Sequence, residues 1–227
     1  MPTAILIDGG FFLRRYRHLR GHATPSEVAK ELHRMCLEHL KQADGRRQLY
    51  RIFYYDCPPL TKKVHNPVSH QAIDFAKSDL AIWRTEFHEA LKSQRKVALR
   101  MGVINEASGH WALKPTKLKE LLRGSLQLTD LTAADVTYEA HQKGVDMRIG
   151  LDIASMTFKK QVDQIILVSG DSDFVPAAKL ARREGVDFIL DPMWAQIRAD
   201  LNEHVDGIKC VFPKSPSPSL GDPSAGE

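Results

Sequence analysis

Short apolar runs alternate along the chain with longer stretches in which apolar residues recur every three or four positions. The runs "TAILID" (3–8), "LYRIFYYD" (49–56), "KVALRMGVI" (96–104), "QIILVSGD" (164–171), "VDFIL" (186–190) and "GIKCVF" (207–212) have the length and the β-branched or aromatic content of strands. Between the first two, Val28, Leu32, Met35, Cys36 and Leu40 share one helical face, with Thr24 or Ser26 as the cap and Pro25 near the first turn. Further helices are predicted over 71–93, 114–124, 145–158, 173–185 and 195–205. The segment 59–70 reads as a polar loop, 105–113 as a turn returning into a short strand, and 135–146 as a strand feeding a loop. Strands alternating with helices predict an α/β fold with a mostly parallel sheet covered on both faces. In such sheets ligands gather beyond the carboxyl ends of the strands.

A length of 227 residues suits one large domain, taken as 1–212, followed by a Pro-, Ser- and Gly-rich tail at 213–227 that reads as disordered. A net charge of +4 permits a polyanionic partner without demanding one. Cys36, Cys57 and Cys210 are scattered and odd in number, which argues against a disulfide framework or a zinc site and for a reducing, cytoplasmic setting. No apolar run reaches the length of a membrane span and no charged leader precedes the first strand, so neither membrane insertion nor secretion is expected.

The chemistry is carried by acids at strand ends. Asp8 follows the first strand, and Asp171 and Asp173 follow "IILVS", so the architecture brings them to one rim. On the helix "VDMRIGLDIASMTF", Val145, Ile149, Ile153 and Met156 form the apolar stripe; Asp152 falls within it, and Asp146 lies near the amino end, aimed at the same rim. Crowded carboxylates cannot all ionise cheaply, and a hard divalent ion such as Mg²⁺ or Mn²⁺ resolves the conflict. Each acid also has a plain structural alternative. Asp173 suits a helix N-cap, Asp8 a strand-ending turn, and Asp146 a first-turn helix position. Asp152 suits a buried carboxylate bonded to Ser169 or to a backbone amide.

Taken together, "ILIDGGFF", "KGVDMRIGLDIASM" and "IILVSGDSDFVPAAKLARREGVDFIL" resemble the NYN domain family of the PIN-like nuclease superfamily. The last two segments match closely over about 45 residues and the strand pattern over nearly the whole domain. The resemblance implies a three-layer α/β/α Rossmann-like domain and a divalent-metal-dependent ribonuclease. Its acidic positions fall on Asp8, Asp146, Asp171 and Asp173, with Asp152 as a further recurrent acid. Relatives in the family often pair, which leaves a homodimer open. One departure is visible: the family's first motif carries Asn three residues after the Asp, where this chain has Phe11. That leaves an alternative, an RNA-binding or scaffold protein of the same fold with weak or no turnover. The segment from about 58 to 131 is longer than a minimal domain of this kind.

For RNA contact, Arg14, Arg15, Arg17 and Arg20 interleave with Phe11, Phe12 and Tyr16 just after Asp8, and Lys143 adjoins Gly144 and Asp146. Basic groups can meet phosphates and an aromatic can stack on a base; equally, the aromatics can be core and the arginines a solvated face. Ser169 and Ser172 can donate to phosphate or to water. "GDSD" is similar to the last acidic motif of haloacid-dehalogenase-like phosphatases, but their nucleophilic Asp-x-Asp is missing after the first strand, where Asp8 precedes Gly9-Gly10.

Overall fold

The computed structural model describes residues 2–42 and 45–214. The elements run β1 (Thr3–Asp8), α1 (Gly9–Arg20), α2 (Pro25–His39), a small β2/β3 pair (Lys41–Gln42 and Gly45–Arg46) and β4 (Leu49–Asp56). Next come β5 (Lys63–His65), β6 (Ala72–Asp74), α3 (Asp79–Lys92), β7 (Val97–Met101) and β8 (Val103–Leu113). The chain continues through α4 (Pro115–Leu122), β9 (Val136–Lys143), α5 (Val145–Phe158) and β10 (Gln164–Val168). It finishes with α6 (Val175–Arg183), β11 (Asp187–Asp191), α7 (Ala199–Glu203) and β12 (Gly207–Ile208).

Six strands form one sheet in the order β12-β11-β10-β1-β4-β7, and every neighbouring pair is parallel. The period-2 alternation of β1 divides the core. Ile5 and Ile7 face a layer built from α1, α2 and α3, with Phe12, Leu32 and Phe87 among its buried residues. Ala4 and Leu6 face the other layer, where Ile149 and Ile153 of α5, Ala178 of α6 and Leu201 of α7 pack. The result is the expected three-layer α/β/α arrangement. Each fully buried aliphatic side chain here contributes roughly 1.5–3 kcal/mol.

The order also fixes where a site can form. From β1 the chain steps outward through β4 to β7, then returns to the other side of β1 as β10 and steps outward again. The crevice between the carboxyl ends of β1 and β10 is therefore the topological switch point of the sheet.

Several local expectations are corrected. The predicted helix over 71–93 begins only at Asp79, capped by Ser78, whose Oγ accepts the Ala81 N–H at 3.2 Å. Residues before it form β6, which pairs antiparallel with β5 inside the stretch expected to be a loop. Asn66 pins that hairpin, accepting from the Val68 and Ser69 amides. The expected turn at 105–113 is instead part of β8, which runs to Leu113 against β9 with an irregular register between Asn105 and His110. The helix and strand expected over 195–205 and 207–212 shrink to Ala199–Glu203 and Gly207–Ile208. Within 58–131, α3 and β7 belong to the central layers, while the β5/β6 hairpin and the arm of β8 and α4, which pairs onward with β9, are additions beside them. Of the tail, residues 215–227 lie outside the described residues. No described helix is long and apolar enough to cross a membrane.

Candidate active site

β1 ends at Asp8, which also caps α1: its Oδ1 accepts the Phe11 N–H at 3.1 Å. The helix starts this abruptly because residue 9 is glycine; a Cβ there would lie 2.6 Å from both the Tyr54 ring and the Tyr55 carbonyl. On the other side of the switch point, β10 runs into Ser169, which is fully buried. The Ser169 hydroxyl reaches Asp8 Oδ2 at 3.4 Å and accepts the Asp171 N–H at 3.3 Å. Asp171 in turn caps a short 3₁₀ turn over Ser172–Phe174 by accepting the Asp173 N–H at 3.0 Å. The expected cap at Asp173 thus belongs to Asp171, with Asp173 in the first turn. Asp146 stands in the first turn of α5, which begins where the chain bends at Gly144 (φ 81°).

The acids act on one another. Burial pushes the Asp8 carboxyl up, the Phe11 amide and Arg14 pull it back, and the charge of Asp146 pushes it up again, leaving it above its ordinary value. Asp146 is likewise raised, by burial and then by the charges of Asp171 and Asp173. Repulsion therefore links all four carboxylates across the switch point. Among the described residues, no three His, Cys, Asp or Glu side chains are gathered closely enough to hold a metal ion by themselves.

Two further rim acids escaped the sequence reading. Asp56 ends β4 and Asp191 ends β11; both are buried. Asp56 is bound by the Arg84 guanidinium, by His88 Nε2 at 3.0 Å and by the Cys57 N–H at 2.8 Å. Burial pushes its carboxyl up, but His88, Arg84 and the amide outweigh that and hold it below the usual range. Asp191 binds His39 Nε2 at 2.7 Å and accepts the Met193 N–H at 2.7 Å. The available signal was an Asp closing an apolar strand, in "IFYYD" and "DFILD", as in "ILID". Each of these two carboxylates has a histidine and a backbone amide as partners within the fold, whereas Asp8 and Asp146 both stand above their ordinary values.

Asp152 has different partners from those expected. It accepts the Tyr55 hydroxyl at 2.8 Å and pairs with the Arg100 guanidinium, joining α5 to β4 and β7 rather than to Ser169. Phe11, Phe12 and Tyr16 are core. Phe11 closes the space beneath the Ser169–Asp171 turn, since a Cβ on Gly170 would lie 2.8 Å from its ring. Of the four arginines after Asp8, Arg14 is the one whose charge bears on Asp8. Arg15 donates to the Met193 carbonyl at 3.0 and 2.7 Å, while Arg17 and Arg20 lie over the rings of Trp83 and Phe212. Lys143 is exposed at the end of β9, and Ser172 is half-buried.

Comparison with known proteins adds the following. No curated protein matches the sequence. A crystal structure of a protein of unknown function from Vibrio parahaemolyticus is similar over 92% of each chain, at 15% identity and a TM-score of 0.48. The family model of the NYN domain matches residues 84–201, a span that holds Asp146, Asp171 and Asp173 and leaves Asp8 outside. With just over half of its length matched, the chain belongs to the NYN domain family, a PIN-like nuclease family.

Proposed function

We propose that the protein is a divalent-metal-dependent ribonuclease that hydrolyses phosphodiester bonds of RNA at the β1/β10 crevice. The observation that carries this reading is the pair of mutually repelling carboxylates, Asp8 and Asp146, both raised above their ordinary values at the switch point of a nuclease-family fold. Carboxylates held above their ordinary range in a cleft are a mark of functional sites. The donor set is oxygen only, which suits Mg²⁺ or Mn²⁺. Mg²⁺ ordinarily takes one or two carboxylates and completes its shell with waters and substrate phosphate, so Asp8 and Asp146 would suffice as its protein ligands. When bound, the ion would supply Lewis-acid stabilisation of charge on the phosphate and a more acidic attacking water.

The chain's own residues do the rest. Asp8 and Asp146 would hold the ion, with Asp171 directly or through water, and Asp173 adding to the field. The Phe11 amide and the Ser169 hydroxyl orient Asp8. Arg14 and Lys143 would neutralise flanking phosphates, and Ser172 would donate to a phosphate oxygen. In the reaction the water oxygen bonds to phosphorus as the phosphorus–oxygen bond to the leaving ribose breaks, and no covalent enzyme intermediate forms. Asp152, tied to Arg100 and Tyr55, supports α5 without joining the chemistry.

Phe11 favours a second reading, RNA binding without turnover, because it fills the position of the family's amide with a buried ring. A labelled single-stranded RNA incubated with Mg²⁺ or Mn²⁺, with EDTA as control and Asp171→Asn alongside, decides between them. Cleavage that stops with EDTA and in the variant supports the nuclease. Binding without cleavage at any divalent ion supports the second reading.

A further inference from the structure

We propose that the cavity between the inserted hairpins and α3 seats one unstacked base of a single-stranded RNA whose backbone crosses the acidic rim. The proposal deepens the ribonuclease reading and rests on it for the identity of the polymer. The cavity, of about 240 Å³, is lined by Pro58, Phe75, Arg84, Tyr138, Ala140 and Gln142 among others. That is smaller than the roughly 300–1,000 Å³ of pockets for drug-sized ligands, and suits a single ring system.

Its walls have the chemistry of a base site. The rings of Phe75 and Tyr138 lie 5.5 Å apart, Trp111 supports Tyr138 edge-on at 5.5 Å, and the Lys62 ammonium sits 5.9 Å from the Tyr138 ring centroid. Stacking on such a ring holds a base without regard to its sequence, and cations beside it meet the phosphates. Arg84 is held by buried Asp56, and its Nε has no hydrogen-bond partner. Gln142 brings an amide able to donate and accept at a base edge. Among the described residues the lining contains no Asp or Glu, so nothing in it repels a polyanion.

Connectivity ties the cavity to the crevice. Tyr138, Ala140 and Gln142 are alternate residues on one face of β9, and the same strand leads through Lys143 and Gly144 to Asp146. On the other side, Pro58 stands two residues beyond Asp56 at the end of β4, and Tyr55 is opposite Asp8 on the adjacent strand. The chain thus leads from two walls of the cavity to the strand ends that carry the proposed metal ligands. Between them Lys143 and Arg148 are exposed cations. The added hairpins thus have a use that the central layers do not need.

The test uses the full chain in EDTA, where no cleavage confounds binding, and short single-stranded RNAs carrying either 2-aminopurine or one abasic site. The wild-type protein is expected to quench the fluorescent base and to prefer the base-bearing strand by roughly 5- to 150-fold. Ala140→Trp, which fills the cavity, and Tyr138→Ala are expected to lose the quenching and the preference while still binding in a salt-dependent way. Equal affinity of the wild type for the abasic strand would overturn the proposal and needs no variant to fold. So would an Ala140→Trp variant, melting like the wild type, that keeps the preference, or one that converts a wild-type dimer to monomer, since the cavity would then seat a second copy. Base preference with no cleavage at any divalent ion would sink the ribonuclease reading alone; cleavage without base preference would sink this one alone.

Discussion

Asp8 serves two masters, and a pair of substitutions separates them. It caps α1 through the Phe11 amide and stands raised at the crevice by burial and by Asp146. Asn caps a helix about as well as Asp, while Ala forfeits the cap at a cost of about 1 kcal/mol. For a chain of this length that lowers the melting temperature by about 2–4 °C. Asp8→Asn keeps the cap and removes a charge that the fold disfavours, so it is expected to melt at or above the wild type at pH 7, and Asp8→Ala below Asp8→Asn. Both are expected to lose at least about 100-fold in cleavage, since even residues that merely orient metal ligands cost 10–100-fold.

The pH dependence carries the sign. A carboxyl raised in the folded state holds its proton more tightly there than in the unfolded chain. Its burden on stability is absent below the unfolded value of 3.8, grows as pH rises through the folded value, and is then constant. Melting curves from pH 3.5 to 7, followed by circular dichroism, should therefore show a smaller decline with rising pH in Asp8→Asn than in the wild type. A remainder survives from Asp146, which is raised as well. If Asp8→Asn melts no higher than Asp8→Ala at pH 7, or its decline matches that of the wild type, the account of Asp8 as a carboxylate raised in the folded state is wrong.

Three other outcomes follow from the same packing. Asp152→Asn should retain cleavage within a few-fold while melting lower by about 1 kcal/mol through its weakened bonds to Arg100 and Tyr55, read by activity and thermal melting together. Phe11→Asn, which restores the family's amide, should destabilise by about 3–5 kcal/mol, or about 6–20 °C, because Phe11 is 8% exposed and packs under Gly170; an unchanged melting temperature would contradict its place in the core. Arg84→Met leaves Asp56 buried with one cation fewer, at a cost of about 3–5 kcal/mol, and Asp56→Asn added to it should recover part of the loss in a double-mutant cycle.

Apart from α1, whose residues were read for their rings and charges and not as a helix, the central layers were legible because period and burial agree. β1, β4, β10 and β11 are apolar runs buried in the sheet, and α2 announces itself with Thr24, Pro25 and a capping box to Glu27. What could not be read depends on partners distant in sequence. Ala72–Asp74 has no strand signal of its own and is extended because Lys63–His65 lies beside it. β8 runs irregularly through "NEASG", which suits a turn, because β9 some thirty residues later pairs with it on both sides, at Val103–Asn105 and His110–Leu113. The rim acids divide in the same way. That Asp8 and Asp171 stand beyond the ends of neighbouring strands followed from topology, but that Asp152 faces Arg100 required the side chains of three elements together.

A ring of strand-end acids is not by itself a site, as Asp56 and Asp191 make plain. They occupy the same rim, deeper in the protein than Asp8, and each has been matched with a histidine and a backbone amide. A buried carboxylate so matched is an ordinary structural element. What sets the β1/β10 crevice apart is that the matching stops there. Asp8 is offered one amide, a long contact to Ser169 and the charge of Arg14, which together do not offset its burial, while Asp146 feels the charges of Asp171 and Asp173. Asp56 and Asp191 have partners buried with them, whereas Asp8 and Asp146 stand raised at the β1/β10 crevice, where the strand order reverses. Departures of this kind from local consistency are expected at functional sites, and under the proposed ribonuclease reading a hard cation with a phosphodiester on it would resolve this one with charges of the right sign on both sides.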